Sequence, residues 1–231
     1  MKSQEIINII DSLIRLLKSK NITNENKRNK IINQMEEIKK DFNDIKIDKK
    51  YKDVYNSLIK RGKVIKKEIE ELKDQKEILE KALSYKRFLT AARGDFKGEH
   101  VNIQKYYWPY ILTSVLFLAL SPQYFGFVLP MIFFVPIFLG VRGVKSRAIT
   151  GLYMSLTVVP VSYMTSFIWM KYGMYAMNNY NLALSQIIEQ TGRSTMVSNL
   201  LLVIPPILSI VLFLSATLQL YLGYKSKDLF I

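Results

Sequence analysis

Residues 197–223 read VSNLLLVIPPILSIVLFLSATLQLYLG, 27 residues without one Asp, Glu, Lys, Arg or His. The hydrocarbon core of a bilayer is about 30 Å thick, and a helix needs roughly 20 apolar residues to cross it. This stretch is long enough to span with tilt. Three more charge-free apolar stretches precede it, at residues 107–123, 125–141 and 148–170. The first two have 17 residues each and the third has 23. Seventeen is near the lower limit for a span. A single tight turn near Pro122 links the first two, so they form a helical hairpin, fully spanning or re-entrant.

Charge divides the chain at the same place. Of the 33 Lys and Arg residues, 26 lie in the first 106 positions, with 17 of the 19 acidic residues. That is an excess of nine positive charges in a region with no long apolar run. The fold class expected is an all-α membrane protein. A cytoplasmic N-terminal helical hairpin or coiled-coil-like domain over residues 1–100 is followed by a four-helix transmembrane bundle over 101–231.

Within the first region, Ile6, Ile10, Leu13 and Leu17 recur at helical spacing after Ser3, a candidate N-cap. Ile9, Ile14 and Leu16 widen that stripe. Asn21 to Asn26 is a polar break, and Ile31, Met35, Ile38, Phe42 and Ile45 carry a second helix in heptad-like steps. Residues 51–92 read as one further helix of 42 residues, about 63 Å long. Leu58, Ile65, Ile69, Leu72, Leu79 and Leu83 lie along one side of it. Gly62 and Lys76 interrupt that seam. The first two helices would fold back on the third as a hairpin or three-helix bundle.

Orientation follows from the basic residues. The region before the first span, residues 142–147 and residues 225–231 hold 26, three and two of them. The intervening loops hold none and two. Alternating spans put all the basic segments on one side, so both termini are expected in the cytoplasm. No signal peptide is evident in the first apolar stretch. Tyr106, Tyr107, Trp108 and Tyr110 read as an interfacial belt at the inner end of the first span, and Tyr221 and Tyr224 at that of the fourth.

Prolines mark three of the four spans: Pro130 with Pro136, Pro160, and the pair Pro205 and Pro206. An internal proline removes a backbone donor and frees a carbonyl four residues earlier. In hydrocarbon that carbonyl needs a partner or a wet cavity. Counting about 1.5 Å per residue, kinks at Pro130, Pro160 and Pro205 fall roughly 8 to 15 Å below the outer boundary. The carbonyls of Gly126, Leu156 and Leu201 would then line a candidate ion path. Close packing is the competing account of these kinks. It is also the ordinary account of the small-residue stripes Gly151, Ser155, Ser162, Ser166 and Ser209, Ala216, Gly223. The outer loop, residues 171–196, holds Glu189, the one acidic residue on that side, together with Asn178, Asn179 and Gln186 as candidate cation contacts. Its centre, residues 182–188, has the pattern of a short interfacial helix.

Several chemistries have no support. The chain has no cysteine and a single histidine, His100, in a charged juxtamembrane segment. No Ser-His-acid set, intramembrane acid pair or glycine-rich phosphate loop is present. No enzyme activity, cofactor or metal is expected. Acids interleaved through the basic region argue against nucleic-acid binding. A solvated helical face is the ordinary account of this charge; the sharper one is contact with anionic lipid through Lys86, Arg87, Arg93, Lys97 and Lys105, because each near-surface cation adds about 1 kcal/mol. The Arg-Gly-Asp tripeptide at 93–95 falls on the cytoplasmic side and reads as a chance match.

Two functional classes fit. One is a self-assembling, channel-like homo-oligomer for small ions, with the basic helical domain setting assembly or gating. The other is a membrane scaffold or adaptor, whose basic domain binds a cytoplasmic partner or the anionic membrane surface. The recurrent prolines place the channel first on sequence alone.

Overall fold

The computed structural model describes residues 3–20, 22–99 and 101–231. His100 therefore lies outside the described residues. Every regular element among them is helical. The chain divides into two compact units, Met1–Val101 with Asp228–Ile231, and Asn102–Lys227.

The first unit has four main helices: α1 (Gln4–Ser19), α2 (Glu25–Asp44), α3 (Lys52–Glu71) and α4 (Gln75–Phe96). The single helix expected over 51–92 is therefore two. Leu72 leaves helical geometry at ψ 140. The Asp74 carboxylate then accepts from the Lys76 N–H at 3.1 Å, capping α4 as an Asp does when it competes with the helical backbone. Folding back also serves burial, because a lone 63 Å rod would leave most of its apolar stripe in water. Asn24 caps α2 in the same manner, accepting from Lys27 N–H at 3.1 Å. Ser3 precedes α1 but makes no side-chain cap bond; its hydroxyl donates to the Phe42 carbonyl instead.

Helix α1 packs on α2 and α3, and α4 packs on the same two. The unit is thus two hairpins stacked side by side. Cross-links fix their register. Lys20 donates to the Leu72 carbonyl, Thr23 to Gln75, Lys86 to Gln34, and Arg93 to Asp41, each joining residues 52 apart. The α2 seam of Ile31, Met35, Ile38 and Phe42 is buried in this core, as is Ile69. Ile65 and Leu72 are half-buried against it. Gly62 is required rather than disruptive, because a Cβ there would strike the Tyr85 ring and Ile9. The Tyr85 hydroxyl meets its hydrogen-bonding need at the Leu58 carbonyl, 3.3 Å away. The C-terminal residues complete the unit. Leu229 and Phe230 are 4% and 3% exposed, and Leu229 occupies the notch left by the missing side chain of Gly94.

The second unit comprises α5 (Val101–Leu120), α6 (Pro122–Phe125), α7 (Val128–Lys145), α8 (Ile149–Leu156), α9 (Val158–Asn178), α10 (Tyr180–Thr191) and α11 (Thr195–Ser226). Three stretches are helical, long and apolar enough to cross a membrane: Val128–Lys145, Ile149–Asn178 and Thr195–Leu229, with mean hydropathies of 1.7, 1.3 and 2.4. The turn expected near Pro122 is α6, one helical turn that ends at Gly126. There φ is +63, a conformation that costs glycine nothing. The expected 171–196 loop is mostly helix, since α9 continues to Asn178 and α10 is longer than the short central helix anticipated. Its low hydropathy hid it, because polar residues at helical spacing look like loop.

Small residues set the closest approaches. The Gly143 and Gly151 backbones touch, so that a Cβ on either would collide with the other. This joins α7 to α8. The expected stripe residues Ser155, Ser162 and Ser166 are fully buried, as are Ser209 and Ala216 on α11. Large apolar side chains instead cover the outside of this unit; Met131, Phe134, Phe138 and Ile207 are 71%, 58%, 60% and 55% exposed.

Candidate functional site

Helix α5 meets its neighbours through long polar side chains. Tyr106 and Tyr110, one turn apart, are both fully buried, whereas Trp108 is 71% exposed. Only part of the aromatic group therefore has the exposure expected of a belt, and the i, i+4 spacing of the two tyrosines was the signal that they share an inward face. Their rings stack at 6.2 Å. The Tyr106 hydroxyl pairs with Ser155 Oγ, and Tyr110 donates to the Ile137 carbonyl at 2.6 Å. Thr113 pairs with Ser215 at 3.1 Å, and Trp169 donates to the Leu120 carbonyl at 2.9 Å. Each bond ties two helices.

The joint between α8 and α9 organises the centre of this network. Thr157 separates the two helices, and Pro160 follows in the first turn of α9. Backbone carbonyls at the end of α8 therefore lack their usual helical donors. Gln219, fully buried on α11, donates its side-chain amide to the Ser155 carbonyl at 2.8 Å. Sequence reasoning placed the exposed acceptor at Leu156 and overlooked Gln219. The signal was an amide set in the most apolar stretch of the chain. Among the described residues, the buried hydroxyls of Ser121, Ser162 and Ser198 have no hydrogen-bond partner.

The other candidate path residues lie apart. Pro130 and Pro160 stand in first turns, where backbone N–H groups have no helical partner in any case. Pro109, Pro136, Pro205 and Pro206 are the prolines inside helices. Gly126 is an exposed cap, and Leu201 is 38% exposed. Gln186 and Glu189 share a face of α10 and are exposed. Asn178 and Asn179 are exposed at its other end, about 10 Å away at 1.5 Å per residue. An apolar groove of about 500 Å³ between α9 and α11 is lined by Met170, Met174, Leu202, Pro206 and Ile210.

In the first unit the basic residues are unequally engaged. Arg93 and Lys97 both bind the Asp41 carboxylate, at 2.7 and 3.2 Å. Burial pushes that carboxyl up, but hydrogen bonds from the two cations outweigh it and hold Asp41 below the ordinary carboxylate value. Lys86 is half-buried and donates to Gln34 at 3.2 Å. Its ammonium is pulled down by burial, then up by Asp228, and down again by Arg87, Lys30 and Arg93. Arg87 is exposed, and so is Lys105 in the second unit.

A cleft of about 400 Å³ opens where the α2–α3 connection meets the end of α4, lined by Lys46, Asp48, Lys50, Tyr51, Phe96 and Lys97 among others. No protein-family model, curated protein or solved structure matches the chain.

Proposed function

We propose that the chain is a multi-pass membrane platform, a non-enzymatic scaffold whose basic helical unit stands on the cytoplasmic side. The observation that carries this reading is the return of the chain. It leaves the first unit after Val101 and re-enters it at Asp228. A chain that leaves a compact unit and returns to it crosses the bilayer an even number of times in between. Three stretches meet the length and apolarity needed, and α5 is the fourth. Its 20 residues rise about 30 Å, the thickness of the hydrocarbon core. Lys105 and the aromatic cluster at 106–108 lower its hydropathy at one end only. The transmembrane part is then a four-helix bundle, and the basic-residue bias puts both termini inside.

The scaffold reading is favoured over a channel by what fills the spans. Polar groups on α5, α8 and α11 are largely taken up by one another, the candidate path residues are dispersed, and the inward helix contacts run through glycine and serine. A unit built in this way anchors, and the excess positive charge outside it recruits an acidic partner or the anionic leaflet. Because the chain lacks cysteine, single cysteines report topology directly. Those at Lys63, Ser146 and Lys225 should resist an impermeant thiol reagent in intact cells, while those at Gln123 and Asn179 should react. Protection at Gln123 would remove α5 as a crossing.

One observation favours the second reading, a homo-oligomeric channel-like assembly. The buried hydroxyls of Ser121, Ser162 and Ser198, without a partner among the described residues, are groups that water or an ion would satisfy. Cation flux through reconstituted protein that falls on Glu189→Gln at low salt, and less at high salt, would replace the scaffold with the channel.

A further inference from the structure

We infer that the cleft beside Lys46 and Lys50 is a binding site for the phosphate-bearing headgroup of an anionic phospholipid. The connection between α2 and α3 builds one wall. Asp48 caps the short turn that follows it, accepting from the Lys49 N–H at 3.2 Å, and thereby presents Lys46 and Lys50 on either side of the buried Ile47. The end of α4 builds the other wall. Phe96 lies edge-on to Tyr51, with ring centres 5.7 Å apart, and Lys50 sits 4.8 Å over the Tyr51 ring. The cleft thus has an aromatic floor and a cationic rim of Lys46, Lys50 and Lys97.

The rim is under-neutralised. Lys97 shares the Asp41 carboxylate with Arg93. Asp48 reaches Lys50 only at 4.0 Å, with both side chains more than 60% exposed. Lys46 makes no ion pair among the described residues. Two ammonium groups and a third, half-committed one therefore face one carboxylate. An occupant with a negative phosphate completes the balance, and a glycerol or acyl segment matches the aromatic floor. Chain connectivity selects a lipid as the source. Gly98, at the lip of the cleft, is three residue steps from Val101 at the start of α5, no more than about 10 Å when extended. A soluble phosphate would need no such tether and no aromatic floor.

This inference rests on the reading that α5 enters the bilayer, and the test separates the two. Full-length protein is reconstituted in bilayers carrying spin-labelled phosphatidylglycerol or spin-labelled phosphatidylcholine, and the immobilised fraction of each is read by electron paramagnetic resonance. Lys46→Gln with Lys50→Gln is compared with Lys63→Gln and Lys67→Gln, an equal loss of charge on α3. The cleft pair should lower the preference for phosphatidylglycerol about fivefold per lysine, and the α3 pair should leave most of it. All four positions are exposed, so circular dichroism should stay unchanged. Equal losses from the two pairs would mean a diffuse field and would overturn the site, as would no loss from the cleft pair. Displacement of the lipid by inorganic phosphate at matched ionic strength would overturn the lipid assignment. A protected cysteine at Gln123 would defeat the α5 reading instead.

Discussion

The two units use apolar side chains in opposite ways. In the first, Ile10, Leu13, Met35, Phe42 and Leu89 are fully buried, and the surface is Lys, Glu and Asn. In the second, Phe127, Met131, Phe134 and Leu214 are 73%, 71%, 58% and 61% exposed, while serines, a glutamine and two tyrosines are buried. Water drives the first arrangement, because burying apolar area there contributes about 25 cal/mol per Å². Among lipid tails, where the proposed platform would set the second unit, that driving force vanishes, and close packing with interhelical hydrogen bonds takes its place. The same residue type therefore has a different value in each unit.

A matched pair of truncations tests this most sharply. Phe42→Ala removes a ring packed edge-on against Phe96 at 6.0 Å and should cost about 4 kcal/mol. Phe134→Ala, on the exposed face of α7, should cost less than about 0.5 kcal/mol, since lipid fills the space. Denaturant titration of full-length protein in bilayer mimetics, read by circular dichroism, measures both. Equal costs would mean that Phe134 is covered by protein, as an oligomer requires.

Next in size is Gly151→Val. Its side chain has nowhere to go against the Gly143 backbone, and overpacking there should cost about 3 kcal/mol. The expected sign is a loss of monodisperse protein on size-exclusion chromatography. In the first unit, by contrast, what stands over the corresponding glycine is the ends of side chains, those of Tyr85 and Ile9, and not backbone. Gly62→Ala should therefore be milder, at about 1 to 2 kcal/mol.

Leu229→Ala tests whether the C-terminal residues belong energetically to the first unit. Emptying the Gly94 notch should cost about 2 kcal/mol, and proteolysis after Lys227 should become faster. An unchanged cleavage rate would detach the C-terminal residues from the unit and remove the argument for an even number of crossings.

The smallest expected effect is electrostatic. Asp41→Asn removes the shared partner of Arg93 and Lys97. All three side chains are partly exposed, so the cost is about 1 kcal/mol or less. The Asp41 carboxyl is held below its ordinary value of 3.8, so its contribution is complete above that pH and is lost as the pH falls through the lower, folded-state value. The stability gap between wild type and Asp41→Asn should be constant at neutral pH and close only below 3.8. A gap that closed at higher pH would mean that the pairing does not hold the carboxyl down.

What the sequence determined by itself is the division of labour: a basic, helical first region, and helices in the second long and apolar enough to cross a membrane. Those features follow from composition and period, which need no partner to be read. Heptad-like spacing also identified Ile31, Met35, Ile38 and Phe42 as core. Tertiary structure decided the rest. The break at Leu72 depends on Asp74 gaining a cap while α4 finds α3 to bury against, and a one-dimensional stripe continues through it unmarked. The inward turn of Tyr106 and Tyr110 depends on acceptors at Ser155 and Ile137, which are 49 and 27 residues away. Gln219 reaches the Ser155 carbonyl across 64 residues. Leu229 is buried only because Gly94, far upstream, has no side chain. Local pattern records which face of a helix is apolar, but the partner that occupies each notch or carbonyl is a property of packing.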